Sequence, residues 1–396
     1  MQKTFDEVVL FARTGLNPRQ NFKLGQGNNY YITIKNIKNN SLVIDDNTDV
    51  VNDEAIKLIH KRSQIKKGDI LFASIGRMGD MYIIEEEPMV WDINESVFAF
   101  TLDTSIVRQK YFYYIFRVKS TLDYLASNSS GSTFKSIKMN QLKKMKFEIP
   151  ALDKQDQIVA VLDKICNIIE MRKQELGSLD DLIKARFVEM FGDLANPECS
   201  WDKCKFVDAC ADKDDIKCGP FGTQLSKDEY TTSGIAVWEI PQINTAFLSE
   251  PTHFLTEEKA EQLNSYTIIP GDIAMSRKGN VGKCALFPND YPDGIIHSDV
   301  LRIRVDRERL NPAFMVCQLH FSGFVTRQIE LVSSGAIMAG VNVTKLKQIY
   351  VHVPPMDLQN QFADFVRQVD KSKVAVQKAL DETQTLFDSL MQEYFG

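Results

Sequence analysis

The chain has 396 residues, 44% of them apolar, and a formal net charge of −6, with 47 Lys and Arg against 53 Asp and Glu. That length exceeds one ordinary core and predicts two domains with connectors, while the apolar fraction excludes an intrinsically disordered chain. No run of about 18 apolar residues is present to cross a bilayer, and Met1-Gln2-Lys3-Thr4-Phe5-Asp6-Glu7 turns acidic before any apolar stretch forms, unlike a signal peptide; the expectation is a cytoplasmic protein without a membrane.

Charge is unevenly spread. Residues 1–150 hold 21 Lys and Arg against 17 Asp and Glu, whereas 151–195, 196–355 and 356–396 are each net acidic. A nucleic-acid binder with this balance must gather its cations on one face or borrow them from partners.

The first 150 residues open strand-rich, with β-branched and aromatic residues broken by Asn, Gly and Pro clusters. Within them Lys67-Gly68-Asp69-Ile70-Leu71-Phe72 is followed by the glycine-bounded segment Gly76-Arg77-Met78-Gly79. A helix is predicted over Gln109–Leu125, then a polar loop, Ser129-Ser130-Gly131-Ser132-Thr133, then a last strand ending at Pro150. Lys143-Lys144-x-Lys146 leads into that strand and reads as an exposed edge or a partner-facing patch rather than a base reader.

From residue 151 apolar positions fall at Ile158, Leu162, Ile165, Ile169, Leu176, Leu179, Ile183, Phe187 and Met190, in steps of mostly three and four. This is the seam of a long helix with one narrow stripe. An arm of some 35 residues would be about 50 Å long, with a bend or restart expected at Gly177-Ser178.

The second half repeats the first. Gly271-Asp272-Ile273 and Gly279-Asn280-Val281-Gly282 follow their counterparts at an offset of 203. Val351-His352-Val353-Pro354 answers Phe147-Glu148-Ile149-Pro150 at 204, as Gln359-x-Gln361 answers Gln155-x-Gln157. The early part matches faintly, Tyr31-Ile32-Thr33-Ile34 beside Val237-Trp238-Glu239-Ile240. Asn311-Pro312 opens a predicted helix to Glu330 as cap and first helical proline; Ser333-Ser334-Gly335 forms the loop. After Pro354 a second stripe runs through Phe362, Val366, Val369, Val376, Leu380, Phe387, Leu390 and Tyr394. Arg172 occupies the repeat position of Val376, and Lys373 that of Ile169, so each stripe's interruption meets an apolar residue in the other's register. The two stripes are expected to bury each other; a coiled coil pairing two copies of the chain is the alternative.

This layout resembles the Type I restriction–modification specificity subunits over essentially the whole chain. The marks are the two Gly-Asp-Ile segments with their glycine turns, and Ile149-Pro150-Ala151-Leu152 and Val353-Pro354-Pro355-Met356, each followed by Gln-x-Gln. Ala151, Lys154 and Leu358 depart from the family's usual residues. The resemblance implies an α+β fold: two similar target-recognition domains, each a twisted β-sheet with helices, separated by two long antiparallel helices forming a coiled coil. The domains would be 1–150 and 196–355, and the arms 151–195 and 356–396. It implies double-stranded DNA as ligand, two methyltransferase subunits and translocase–nuclease subunits as partners, and no catalysis here. S-adenosylmethionine, ATP and magnesium would sit on those partners, with no cofactor on this chain.

Candidate DNA contacts are cations beside glycine turns, Arg77 in the first copy and Arg277-Lys278 in the second, with Ser132, Thr133, Lys135, Ser333 and Ser334 in the polar loops. A plain hairpin turn with solvated charges, and an ordinary surface loop, are the competing readings. Enzyme motifs are incomplete. Asn311-Pro312-Ala313-Phe314 breaks an amino-methyltransferase Asn-Pro-Pro-Phe box at Ala313. Pro292-Asp293 lacks the acid-x-lysine set of a nuclease, and Gly279-x-x-Gly282-Lys283 lacks P-loop spacing. Cys199, Cys204, Cys210 and Cys218 have no zinc-type hook, and the five histidines show no paired spacing. The remaining alternatives are a chain with methyltransferase or nuclease activity of its own, and an adaptor for protein or RNA; two heads on a rigid spacer suit duplex DNA better than RNA.

Overall fold

The computed structural model describes residues 1–38, 41–131, 134–196, 198–333 and 340–396. It divides into two compact units, Met1–Arg172 with Ala379–Gly396, and Lys173–Lys378.

Both units are built on one plan. In the first, a four-stranded antiparallel sheet has the order Val9–Thr14, Val97–Leu102, Ile70–Ala73, Met81–Ile83. In the second the order is Ile216–Cys218, Val300–Ile303, Ile273–Ser276, Cys284–Leu286. The strand after each Gly-Asp is buried throughout, because both faces of the sheet are covered. Alternation then splits its side chains. Ile70 and Phe72 join the helix-side core, and Leu71 joins a smaller core on the other face. Ile273 and Met275 divide from Ala274 in the same way.

A second sheet in each unit contains one parallel pair. Ile32 sits opposite Ile93, and Trp238 opposite Ile296, so the faint sequence match of Tyr31-Ile32 with Val237-Trp238 marks equivalent strands. A third pair closes each head. Gln2–Thr4 pairs with Lys146–Glu148, and Asp202–Lys205 with Tyr350–Val353, so the strand that opens a head is bonded to the one that ends it.

Each predicted head helix is two helices. The first is Gln109–Ile115 and Lys119–Ser127, the second Pro312–Phe321 and Gly323–Ser333. Extended backbone at Val118 and Ser322 breaks them. The redirected segments bury Leu125, and Val325 with Ile329, against the helix-side cores, which one straight helix would not reach.

The arms are unbroken 40-residue helices, Leu152–Phe191 and Met356–Phe395. The restart allowed for at Gly177-Ser178 does not occur, since the helix is continuous there. Gly177 lies in open space on the helix surface, where its cost of about 1 kcal/mol is outweighed by the buried turns on either side. In the first unit Ile158, Leu162, Ile165 and Ile169 pack with Phe387 and Met391. In the second, Ile183, Phe187 and Phe191 pack with Phe362, Val366 and Val369. The pairing is antiparallel in both: Lys154 lies over the Tyr394 ring while Arg172 bonds the Ala379 carbonyl and the Thr383 hydroxyl, and Phe191 meets Phe362 while Lys373 pairs with Asp180. The charged residues that interrupt the two stripes therefore meet polar groups, and the stripes bury each other.

The first glutamine of each Gln-x-Gln joins arm to head. Gln155 is fully buried; its Oε1 accepts from the Arg108 N–H (2.8 Å) and its Nε2 donates to the carbonyls of Ile106 (2.8 Å) and Pro150 (2.9 Å). Gln359 does the same with Asn311 N–H, Arg309 and Pro354. Leucine at either position leaves three backbone groups without their side-chain partner and is expected to cost about 3 kcal/mol, measurable as a lowered urea midpoint.

Two histidines make the second unit acid-sensitive. The His320 Nε2 accepts the Cys284 N–H at 3.2 Å, and both His352 ring nitrogens are buried without partners. Burial lowers both pKa values below the ordinary histidine range; Lys283 adds to this at His320 against Asp180, and Lys203 adds to it at His352. The unfolded chain then binds more protons than the folded one as pH falls. The stabilisation is complete above about pH 6.5 and is lost on descending toward the lower folded values, by up to about 1.4 kcal/mol per pH unit for each group. Urea melts between pH 7.5 and 5 should show this slope, and His352→Phe should flatten it.

Candidate nucleic-acid interface

The two glycine turns are the same structure. In the first unit the Asp80 N–H donates to the Arg77 carbonyl (3.1 Å), Gly79 N–H to the Ala73 carbonyl (3.4 Å) and Ala73 N–H to the Asp80 carbonyl (2.9 Å). In the second, Lys283 bonds Asn280 (3.1 Å), Gly282 bonds Ser276 (3.1 Å) and Ser276 bonds Lys283 (2.7 Å). The third residue needs a left-handed backbone, φ +94° at Gly79 and +84° at Gly282, and a Cβ there would press on Leu125 or Ile329. The turn is thus a rigid hairpin seated on the head's second helix.

Long-range bonds bring two further loops to it in the first unit. The Gly76 N–H donates to the Lys135 carbonyl (3.1 Å), and Ser130 and Ser136 exchange backbone bonds (2.9 Å each) that close the polar loop. The Arg77 Nη2 donates to the Ile37 carbonyl (3.3 Å), beside the hairpin Ile37–Lys38 with Ser41–Leu42. These bonds set the turn that carries Arg77 beside the backbone of Lys135 and beside the strand of Lys38, with Lys35 two residues before Ile37; sequence reading missed both Lys35 and Lys38. Arg77 and the three lysines are exposed. Asp80 pairs with Arg77 (3.5 Å); its pKa is raised by burial, against the pull of Arg77 and Arg117.

The second unit differs in detail. Arg277 is half-buried, its Nε donating to the Val341 carbonyl (3.3 Å) and its guanidinium 4.8 Å from the ring centre of Phe221, itself 48% exposed. Lys278 pairs with Asp299 at 2.7 Å. Arg277 acts first as a clamp between loops, and Lys278 has a partner already. Ser333 is the last residue of a helix rather than part of a loop, and its hydroxyl donates to the Ile329 carbonyl (2.6 Å). The Lys283 Nζ reaches the Asn244 carbonyl (3.0 Å), and Asn280 approaches the Asn244 side chain (3.5 Å). Ser132, Thr133 and Ser334 lie outside the described residues.

The Gly-Asp-Ile acids are structural. Asp272 is fully buried, accepts two bonds from Arg304 (2.8 and 2.7 Å) and accepts the Ile269 N–H (2.9 Å). Asp69 is buried with Arg13 (2.9 Å), the Thr101 hydroxyl (2.6 Å) and the Lys66 N–H (3.1 Å). Asn311 caps its helix by accepting the Ala313 N–H (3.0 Å). Among the described residues no three or more His, Cys, Asp or Glu side chains gather as a metal requires, and no helix is long and apolar enough to cross a membrane.

The sequence profile described as the Type I restriction modification DNA specificity domain matches twice, at residues 2–180 and 221–383. The chain belongs to the Type I restriction–modification DNA-specificity family. Each of its two units carries most of one specificity domain, and its role is recognition of DNA sequence.

Among relatives, the Type I restriction enzyme MjaIX specificity subunit of Methanocaldococcus jannaschii is 22% identical over 82% of this chain and 76% of its own length. The putative type I restriction enzyme MjaX specificity subunit of the same organism is 21% identical over 79% and 75%. In structure, the Type I restriction–modification S subunit from M. genitalium covers 100% of this chain and 96% of its own at 15% identity, with a TM-score of 0.57. A chain from a structure of the type I system's complex assembly and conformational transition covers 99% and 96% at 14% identity, with a TM-score of 0.54. The specificity fold is thus shared over the full chain where sequence likeness is slight.

Proposed function

We propose that this specificity chain is a non-catalytic subunit that reads a bipartite duplex target, one half with residues 1–150 and the other with 196–355. The arms, 151–195 and 356–396, carry two methyltransferase subunits, with translocase–nuclease subunits joining them. S-adenosylmethionine, ATP and magnesium belong to those partners, whose chemistry is adenine methylation and ATP-driven cleavage in the cytoplasm. The observation that carries this reading is the occurrence, twice, of one scaffold of sheet, turn and paired helices, each followed by an arm. DNA is held in the first unit by the cluster of Lys35, Lys38, Arg77 and Lys135. In the second it is held by the face around Lys278 and Asn280, with Arg277 supporting it; Ser132, Thr133 and Ser334, with Ser333 at its helix end, complete the candidate set. Apolar Met171, Leu182, Val188, Val374 and Leu386 stand exposed on the arms as surface for protein partners.

The test is exchange of residues 196–355 for the second head of another family member, with modified adenines mapped genome-wide in cells supplying the partner subunits. One half of the target should change and the other persist; change in both halves would overturn the division. Affinity of the assembled complex for duplex should also fall steeply with salt.

A further inference from the structure

We infer that the first residue of the rigid glycine turn is a base-reading position in each head, with Arg77 reading guanine in one half of the target and Asn280 reading adenine in the other. The inference rests on the DNA-reading role proposed above and goes beyond it to named bases.

The two turns share three equivalent backbone hydrogen bonds, so their first residues leave the same scaffold at the same place. The other three positions are constrained. Met78 and Val281 pack against the helix-side cores, Gly79 and Gly282 lie against a helix, and at the fourth position the Asp80 carboxylate pairs with Arg77 while the Lys283 ammonium donates to the Asn244 carbonyl. Arg77 and Asn280 are exposed and differ. That is the pattern a duplicated reader needs: a shared, pre-organised support with a different chemical group at its tip.

The chemistry of each group selects a base. A guanidinium fork matches O6 and N7 of guanine, and a carboxamide matches N6 and N7 of adenine. Arg77 spends one Nη2 bond on the Ile37 carbonyl and has Asp80 beside Nε. These hold the fork's direction and leave the Nη1 hydrogens and the second Nη2 hydrogen for a base edge. Asn280 is steadied by Asn244 (3.5 Å).

The experiment maps methylated sites with the assembled methyltransferase carrying Arg77→Ala, Arg77→Lys, Asn280→Ala or no change, alongside its affinity for duplex. Arg77→Ala should relax one guanine position in one half-site by about tenfold or more and leave the other half unchanged. Arg77→Lys should keep most affinity, since the charge remains, yet relax the same position. Asn280→Ala should relax one adenine position in the opposite half. Weaker binding with unaltered base preference would overturn the inference and leave the interface standing, as for a phosphate contact. Unaltered sites and unaltered affinity in a folded complex would remove the turn from the interface altogether. Relaxation in both halves by one substitution would also overturn it.

Discussion

Phe187→Ala is expected to lower the unfolding free energy of the second unit by about 3–5 kcal/mol. Phe187 is 1% exposed and touches four other rings, Phe191 (5.2 Å), Phe314 (5.8 Å), Phe321 (6.1 Å) and Phe362 (5.6 Å). Those rings come from both arm helices and from the head helix Pro312–Phe321, so the cavity would open where three elements meet. Rigid aromatic neighbours cannot collapse into it, which keeps the cost at the upper end of the range for such truncations. Leu182 and Val188 on the same helix are exposed, and alanine there should cost only about 0.5 kcal/mol or less. Of the three tryptophans, Trp201 and Trp238 lie in the second unit. A Trp91→Phe background therefore lets urea melts follow that unit by fluorescence. A loss below about 1.5 kcal/mol would mean that the ring cluster repacks.

Asp272→Ala should cost about 3 kcal/mol, near the low end for a broken buried ion pair because Arg304 retains 31% exposure. The loss has two parts. Arg304 keeps its charge without a carboxylate, and the Ile269 N–H that closes the Pro270-Gly271 turn loses its acceptor. Asp272→Leu with Arg304→Met should recover most of it, since no charge is then left buried. Methylation mapping of the folded fraction should show an unchanged target, because the carboxylate is itself buried and supports the strand through Arg304 and the Ile269 N–H. A shifted target would place the Gly-Asp-Ile segment in recognition itself.

These residues show why parts of the protein could be read from sequence. Gly68 and Gly271 hold φ of +88° and +83°, a demand that falls on one residue and so survives duplication while side chains around it diverge. The stripes on the arms are likewise local, since steps of three and four put residues on one face whatever lies opposite. The role of Gln155 was visible only as a motif. Its partners Arg108 and Ile106 are 47 and 49 positions away, and nothing in its neighbours names them. Lys35 and Lys38 escaped notice because the Ile37 carbonyl meets Arg77 across 40 positions. Arg277 was legible as a cation beside a glycine and illegible as a clamp, since Phe221 and Val341 reach it from distant loops.

By itself the amino-acid order determined the helical arms and the turn positions, which follow from backbone demands and periodicities within a few residues; their recurrence at a fixed offset gave the duplication, and the motifs carried the resemblance to the family. Only the tertiary structure decided which loops meet the glycine turns, which acids are buried supports, where each head helix breaks, and that the arm helix continues through Gly177. Those outcomes depend on which distant surfaces close against each other, and burial free energy, summed over a whole core, overrides the preference of any single residue.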